Sequence, residues 1–458
     1  MASSIASPRT DPQQPDAPDS LTVISGNRAG AISSSVEDAL RAGVLRPGQA
    51  LPTVRRLAEH LGVSPTTVAA AYNNLQLRGL IVAAGRRGTR ISPRPPLSGH
   101  IDPPLPAGAI DLTSGNPDFS FLPDLRQAAS RLGFPQRPYG VACDDAELLQ
   151  VAADWFRRDG VSPDFLSIVS GGMSGIERAL DAHLRPGDRV AVEDPSYHTV
   201  HDLLRAHGLI AQPVTIDEFG MVPEALEEAL RRQVAAVIET PRAQNPTGAA
   251  LDARRARDLR RVLQEWPEAL VIEDDHSGPV AGAPLHTLTT TTGLRHWAVV
   301  RSVSKWLGPD LRLAVMAGDA VTIARIDGRQ RLGPGWVSNI LQSLVVELAR
   351  DEEVWARVDQ ARAAYETRRR ALVRELGRRG ISVWGRSGLN VWVPVEDELL
   401  ARRSLLEAGW AVAAGEQFRL RTPPGLRISV GNLAVADAGP IAEALSRPVL
   451  RRAPTRTG

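Results

Sequence analysis

The sequence predicts a multidomain chain: a small helix–turn–helix module closed by a β-hairpin, then a larger α/β domain with a mainly parallel sheet. Three observations carry this. Short capped helical patterns cluster between residues 21 and 91. A proline-rich run, SPRPPLSGHIDPPLPAG, follows. From residue 110 onward, short apolar strand-type runs alternate with amphipathic helical stretches. At 458 residues the chain is long enough for two to four domains of ordinary size.

The N-terminal stretch MASSIASPRTDPQQPDAPDS is polar, lacks an apolar core, and reads as a disordered tail over 1–20. The first helix runs through SSSVEDALRAG, with Ser33 to Ser35 available as caps and Gly43 as the stop. TVRRLAEHLG is a short helix: Thr53 caps it, Val54, Leu57, Ala58 and Leu61 share a face, and Gly62 ends it. SPTTVAAAYNNLQLRG is the next, with Ser64 as N-cap, Pro65 at the first position, and Val68, Tyr72 and Leu75 on one face. LIVAAGRRGTRIS then gives two strand runs around a Gly-Arg-Arg-Gly turn.

Charge singles this module out. Between Leu21 and Arg94 ten arginines face three acids, a net of +7, while the whole chain carries only +2. A basic module on a mildly acidic body implies a polyanionic partner for the module alone. In a helix–turn–helix the second helix enters the major groove with its N-terminal residues toward the base edges. Here those are Thr66 and Thr67, with Arg55, Arg56, Arg86 and Arg87 toward phosphates and Thr53 a further DNA-binding candidate. The expected partner is double-stranded DNA. The segment resembles the winged-helix domain of the GntR family, PG–LPS–R–LA–LGVS–TV–AY–L–G, in PGQALPTVRRLAEHLGVSPTTVAAAYNNLQLRG. Pro65 departs from a position where that family often has arginine.

Residues 92–109 read as an extended, semi-stiff linker. Beyond it LSIVSGG, DRVAVED, VAAVIETP, LVIEDD, AVVRSVSK and LAVMAGD are apolar strands, with helices such as IERALDAHLRPG and ARRARDLRRVLQEWP between them. Residues 110–450 form this domain and 451–458 a tail. In such sheets ligands sit at the carboxyl ends of the strands. No apolar run is long enough for a membrane span. The single cysteine, Cys143, excludes an internal disulfide and fits a reducing cytoplasm.

Lys305 is the only lysine among 54 basic residues. Arginine stays protonated and forms no Schiff base, whereas a lysine amine can lose its proton and attack a carbonyl. Every other point of interest also closes a strand. Gly172 and Met173 open a helix, whose free N–H groups suit an anion. Tyr197 offers a flat ring and Asn245 a turn amide. Asp274 ends an apolar strand and needs a partner. Ser302 and Ser304 flank Lys305, and Arg312 follows, suited to phosphate. Separately each has an ordinary structural explanation. Together they meet the needs of pyridoxal 5'-phosphate: an amine for the aldehyde, an acid for the ring nitrogen, a phosphate cup and an aromatic cover.

Residues 110–445 resemble the fold-type-I aminotransferase domain. The resemblance implies Lys305 as the Schiff-base lysine and Asp274 as partner of the ring nitrogen. Asn245 would bond the ring oxygen, Tyr197 would cover the ring, and Gly172, Met173, Ser302, Ser304 and Arg312 would hold the phosphate. It also implies that Tyr139, in RPYG, reaches the partner subunit's phosphate in a dimer. Arg427, in GLRISVGNL, would clamp a substrate carboxylate. Winged helix, linker and aminotransferase-like domain in this order resemble the MocR subfamily of GntR regulators, whose cofactor domain is a sensor and dimerisation body in a domain-swapped homodimer. Many members have EDDYDSEF where this chain has EDDHSGPV. His276 thus replaces a tyrosine near the ring oxygen; imidazole donates the same bond but also charges near neutral pH.

The expected function is a transcriptional regulator in which an amine or amino acid displaces Lys305 as effector. Two alternatives use the same machinery: a working aminotransferase with an appended reader, and a sensor of pyridoxal phosphate itself.

Overall fold

The computed structural model describes residues 20–77, 79–83, 88–92, 105–106, 108–133, 138–139 and 144–449. The chain forms two compact units, 1–100 and 101–458.

The first unit holds helices α1 (Ser20–Val23), α2 (Ala29–Arg41), α3 (Val54–Leu61) and α4 (Pro65–Leu77) and the antiparallel pair β1 (Ile81–Ala83) and β2 (Thr89–Ile91). Ile32, Val36, Leu57, Val68, Leu75 and Ile81 fill its core. Thr53 caps α3 by accepting from Arg56 N, and Gly62 closes it at φ 66°. Ser64 caps α4 by accepting from Thr67 N at 3.2 Å. This is the expected helix–turn–helix with hairpin.

The start of α2 is corrected. The helix begins at Ala29, so Ser33 and Ser35 lie within it rather than capping it. A serine inside a helix can satisfy its hydroxyl on the preceding turn. Ser33 Oγ does so on Ala29 O at 3.0 Å and reaches Ala71 O on α4 at 3.2 Å, tying the two helices together.

The second unit carries an eight-stranded sheet. Its strands are β4 (Leu166–Val169), β5 (Arg189–Asp194), β6 (Ile210–Asp217), β7 (Gly220–Met221), β8 (Val234–Glu239), β9 (Leu270–Asp275), β10 (Trp297–Ser302) and β11 (Ala314–Gly318). Their order is β4-β11-β10-β9-β8-β5-β6-β7, and β5, β6, β8, β9 and β10 run parallel. Six of these strands coincide with the runs read from sequence. β6 and the two-residue β7 are additional: Pro213 and Gln212 interrupt the apolar character of β6, although it pairs with β5 from Ile210 to Thr215. A smaller sheet follows, in the order β12-β14-β13-β3, from β3 (Ile110–Leu112), β12 (Asn390–Pro394), β13 (Trp410–Ala414) and β14 (Gly425–Ser429). Among the described residues no helix is long and apolar enough to cross a membrane.

Candidate cofactor site

The adjacent strands β8, β9 and β10 aim their carboxyl ends at one region, as a parallel sheet does. Lys305 lies three residues beyond β10. Burial, then the nearby Arg427 charge, lowers its amine from 10.5 to about 8. Its Nζ donates to Gly115 O at 2.8 Å.

Successive strand residues face opposite sides of a sheet, and the two acids ending β9 divide accordingly. Asp275 accepts from Arg242 Nε at 2.8 Å, Arg242 Nη2 at 2.8 Å and Arg301 Nε at 2.7 Å. Although it is buried, these guanidinium groups hold its carboxyl far below the usual range. Arg301 also reaches Asp159 at 2.6 Å and lies over the Phe156 ring at 4.7 Å. Asp274 has no such partner. Its Oδ1 is buried without a hydrogen bond, and burial followed by the charge of Asp275 raises its carboxyl to about 7.

Beside Asp274, helix α5 (Gly172–His183) begins. Gly171 precedes it at φ 94°, and a Cβ there would stand 2.9 Å from Arg312 Nη2, so glycine is what lets the guanidinium approach the helix start. Ser302 Oγ and Ser304 Oγ lie 3.1 Å apart. A helix start, a guanidinium and two hydroxyls are donors of the kind that suits an anion. Met173 is partly buried against the core beneath it. Tyr197 precedes the helix His198–Ala206 and packs against the cluster of Trp392 and Phe418.

Arg427, on β14, is buried. Its Nη1 donates to Asn245 Oδ1 at 3.0 Å, its Nη2 donates to Thr113 O, and its guanidinium lies 4.6 Å from the Phe418 ring centroid. With Oδ1 so engaged, the Asn245 NH₂ remains as the donor for a ligand oxygen.

His276 requires a correction. Burial, then the charge of Lys305, lowers it to about 4, so it stays neutral at the pH where charging was expected. Its Nε2 lies 3.0 Å from Ala243 O and its Nδ1 lies 3.1 Å from Ser277 Oγ. A carbonyl only accepts, so the single N–H sits on Nε2 and is committed to the loop, while Nδ1 accepts from the serine.

Tyr139 is 91 % exposed and leans edge-on against Trp336 at 5.6 Å; among the described residues no hydrogen bond joins it to this site in one chain. In the N-terminal unit Thr53, Arg55, Arg56 and Thr66 are exposed and Thr67 is half-buried. Ser64 Oγ bonds both threonine hydroxyls, at 2.7 and 2.9 Å. Arg86 and Arg87 lie outside the described residues.

The donor set fits pyridoxal phosphate. The orphaned Asp274 oxygen suits a protonated ring nitrogen, the Gly171–Arg312 cradle suits a phosphate, and Lys305 suits an aldehyde. The Asp275–Arg242–Arg301–Asp159 network was absent from the sequence reading. Its only sequence signal is a set of charges at the ends of apolar strands.

Comparison with known proteins agrees. Residues 107–445 match the aminotransferase class I and II family, and residues 28–91 match the bacterial regulatory proteins of the gntR family. The vitamin B6 salvage pathway transcriptional repressor PtsJ of Salmonella typhimurium is 42% identical over 433 residues, covering 93% of this chain and 100% of PtsJ. The HTH-type transcriptional regulator TauR of Rhodobacter capsulatus is 27% identical, over 89% of this chain and 92% of TauR. Among solved structures, Pyrococcus horikoshii kynurenine aminotransferase superimposes with a TM-score of 0.68 at 22% identity, over 76% of this chain and 92% of that one, which speaks to the fold. With a gntR reader fused to an aminotransferase class I and II domain, the chain belongs to the MocR-type GntR transcriptional regulators.

Proposed function

We propose that this protein is a transcriptional repressor of vitamin B6 salvage genes that takes pyridoxal phosphate as its effector at Lys305. As a homodimer it would present two N-terminal modules to paired half-sites on duplex DNA. The observation that carries this reading is the orphaned Asp274 carboxylate within a set that also supplies Lys305 and Arg312. The end-to-end likeness to a vitamin B6 salvage repressor favours the vitamin over an amine as the signal.

When bound, the group supplies an aldehyde carbon and an electron-accepting ring. The chain's own residues do the rest. With its amine at about 8, Lys305 is neutral and nucleophilic in roughly one molecule in ten at pH 7, some hundreds of times more than an ordinary lysine. Asp274 would hold the ring nitrogen, and a cation there would draw its carboxyl back down. Arg312 and the start of α5 would hold the phosphate. Asn245, oriented by Arg427, would donate its NH₂ to the ring oxygen.

A second reading is favoured by one feature. A buried arginine at the site, Arg427, suits the carboxylate of an amino acid, which would then be a co-effector or substrate. The absorption spectrum of the purified chain with pyridoxal phosphate, followed by a panel of amines, amino acids and 2-oxo acids, separates the readings. The proposal expects vitamer uptake that Lys305→Met abolishes, and no sustained turnover. Turnover near ~10 s⁻¹ with an amino acid and a 2-oxo acid would replace it with an aminotransferase.

A further inference from the structure

The first segment after the linker that meets the site is Thr113–Asn116. It hangs between two anchors. Upstream is β3, three residues long and the edge strand of the small sheet, paired in parallel with β13 from Ile110 to Leu112. Downstream is Asp118, whose N–H donates to Tyr365 Oη at 2.9 Å and whose carboxylate accepts from Arg368 at 2.9 Å. Between these anchors two cations grip the backbone: Lys305 Nζ at Gly115 O, 2.8 Å, and Arg427 Nη2 at Thr113 O. The remaining bonds of the segment are local, such as Thr113 N and Oγ1 to Asp111 Oδ1 at 2.7 and 2.6 Å. Gly115 stands at φ 62°, and a Cβ there would lie 3.6 Å from Arg427 Nη1, so the backbone turns directly against the guanidinium.

We infer that Thr113–Asn116 is a strap whose grip on the site is read by Lys305: capture of an aldehyde at Nζ releases Gly115 and loosens the strap, and with it β3. The inference rests on the reading of Lys305 as the aldehyde-capturing residue. The chemistry forces the exchange. Once the ammonium has given one proton to solvent, the amine nitrogen forms a C=N bond to the aldehyde carbon, and the aldehyde oxygen leaves as water with the two remaining amine protons. The freely rotating N–H donors are gone, and the new double bond dictates where the nitrogen lies, so the bond to Gly115 O is given up. A strand of three residues at a sheet edge belongs to the least stable part of a fold, where the loss of one bond changes the open population most. The strap therefore responds to the aldehyde rather than to occupancy. A phosphorylated vitamer bearing an alcohol fills the same cup and leaves the lysine amine on Gly115 O.

Hydrogen exchange of the peptide spanning 110–118, followed by mass spectrometry on the full chain, tests this. Pyridoxal 5'-phosphate should speed exchange there about tenfold, the worth of one charge-assisted hydrogen bond. Pyridoxine 5'-phosphate should leave it unchanged. Lys305→Met, with nothing added, should already show the fast exchange. Three results overturn the strap: no change in exchange when the absorbance shows the aldehyde captured, equal change with the alcohol, or wild-type protection in Lys305→Met. If the absorbance shows no uptake of the aldehyde, the reading of the site fails, and Lys305→Met alone decides the strap.

Discussion

On one face of the sheet at the end of β9, Asp275 is held by two arginines; on the other, Asp274 keeps an oxygen with no partner. The residues are adjacent, of the same type and both buried. A buried charge that the chain itself neutralises belongs to the fold, and removing one partner is costly. A buried charge that the chain leaves unsatisfied costs stability, and is explained when a ligand supplies the partner. The two sides of one strand thus separate scaffold from site.

The strongest way to break this comparison is Asp275→Ala. It strands Arg242 and Arg301 in the interior and is expected to destabilise the second unit by about 3–5 kcal/mol, read as a lower denaturation midpoint. Linkage gives a matching pH dependence. The folded carboxyl lies below its unfolded value, so its contribution is full above the ordinary carboxylate range and is lost as pH falls through and below it. Next comes Asp274→Asn, which should weaken pyridoxal phosphate binding roughly a hundredfold, measured by absorbance titration. Its effect on the vitamer-free midpoint has the opposite sign. The folded carboxyl lies above its unfolded value, at about 7, so ionising it costs stability increasingly as pH rises from about 4 to 7. The asparagine should match or exceed the wild-type midpoint at pH 8. Equal losses of midpoint in both variants would erase the distinction.

Two smaller effects sharpen it. The rate of pyridoxal phosphate capture should climb about tenfold per pH unit below 8 and level off near 8, where Lys305 titrates, rather than near 10.5. Stopped-flow absorbance across pH 6–10 checks this, and His276, already neutral there, should add no inflection. Arg56→Ala in the reader should leave all these values alone. Its expected effect is a decrease of about one in the slope of log affinity against log salt for DNA, measured by fluorescence anisotropy.

Sequence reasoning reached the site further than its setting. Lys305, Asp274, Asn245, Arg312 and Gly172 each end or follow a strand, so local pattern brought them out, and a parallel sheet gathers strand ends. The partners of Asp275 lie 33 and 26 positions away and were invisible, because pairing across strands depends on register. Ser33 was read as a cap from its residue type, but only the packing of α2 on α4 shows that its hydroxyl serves Ala29 and Ala71 instead. His276 was expected to titrate near neutrality because its ordinary value lies there; burial and Lys305 move it. The strap was not visible at all, since its grips fall on backbone carbonyls, which every residue carries.

The most direct test of the central claim is the affinity of the full chain for an operator, selected by this protein from random duplex DNA, as pyridoxal phosphate is titrated in. The result expected is a shift in affinity that saturates as Lys305 does by absorbance and is absent in Lys305→Met. Operator affinity that stays constant while the absorbance shows Lys305 fully reacted would contradict the claim that the vitamin is the signal.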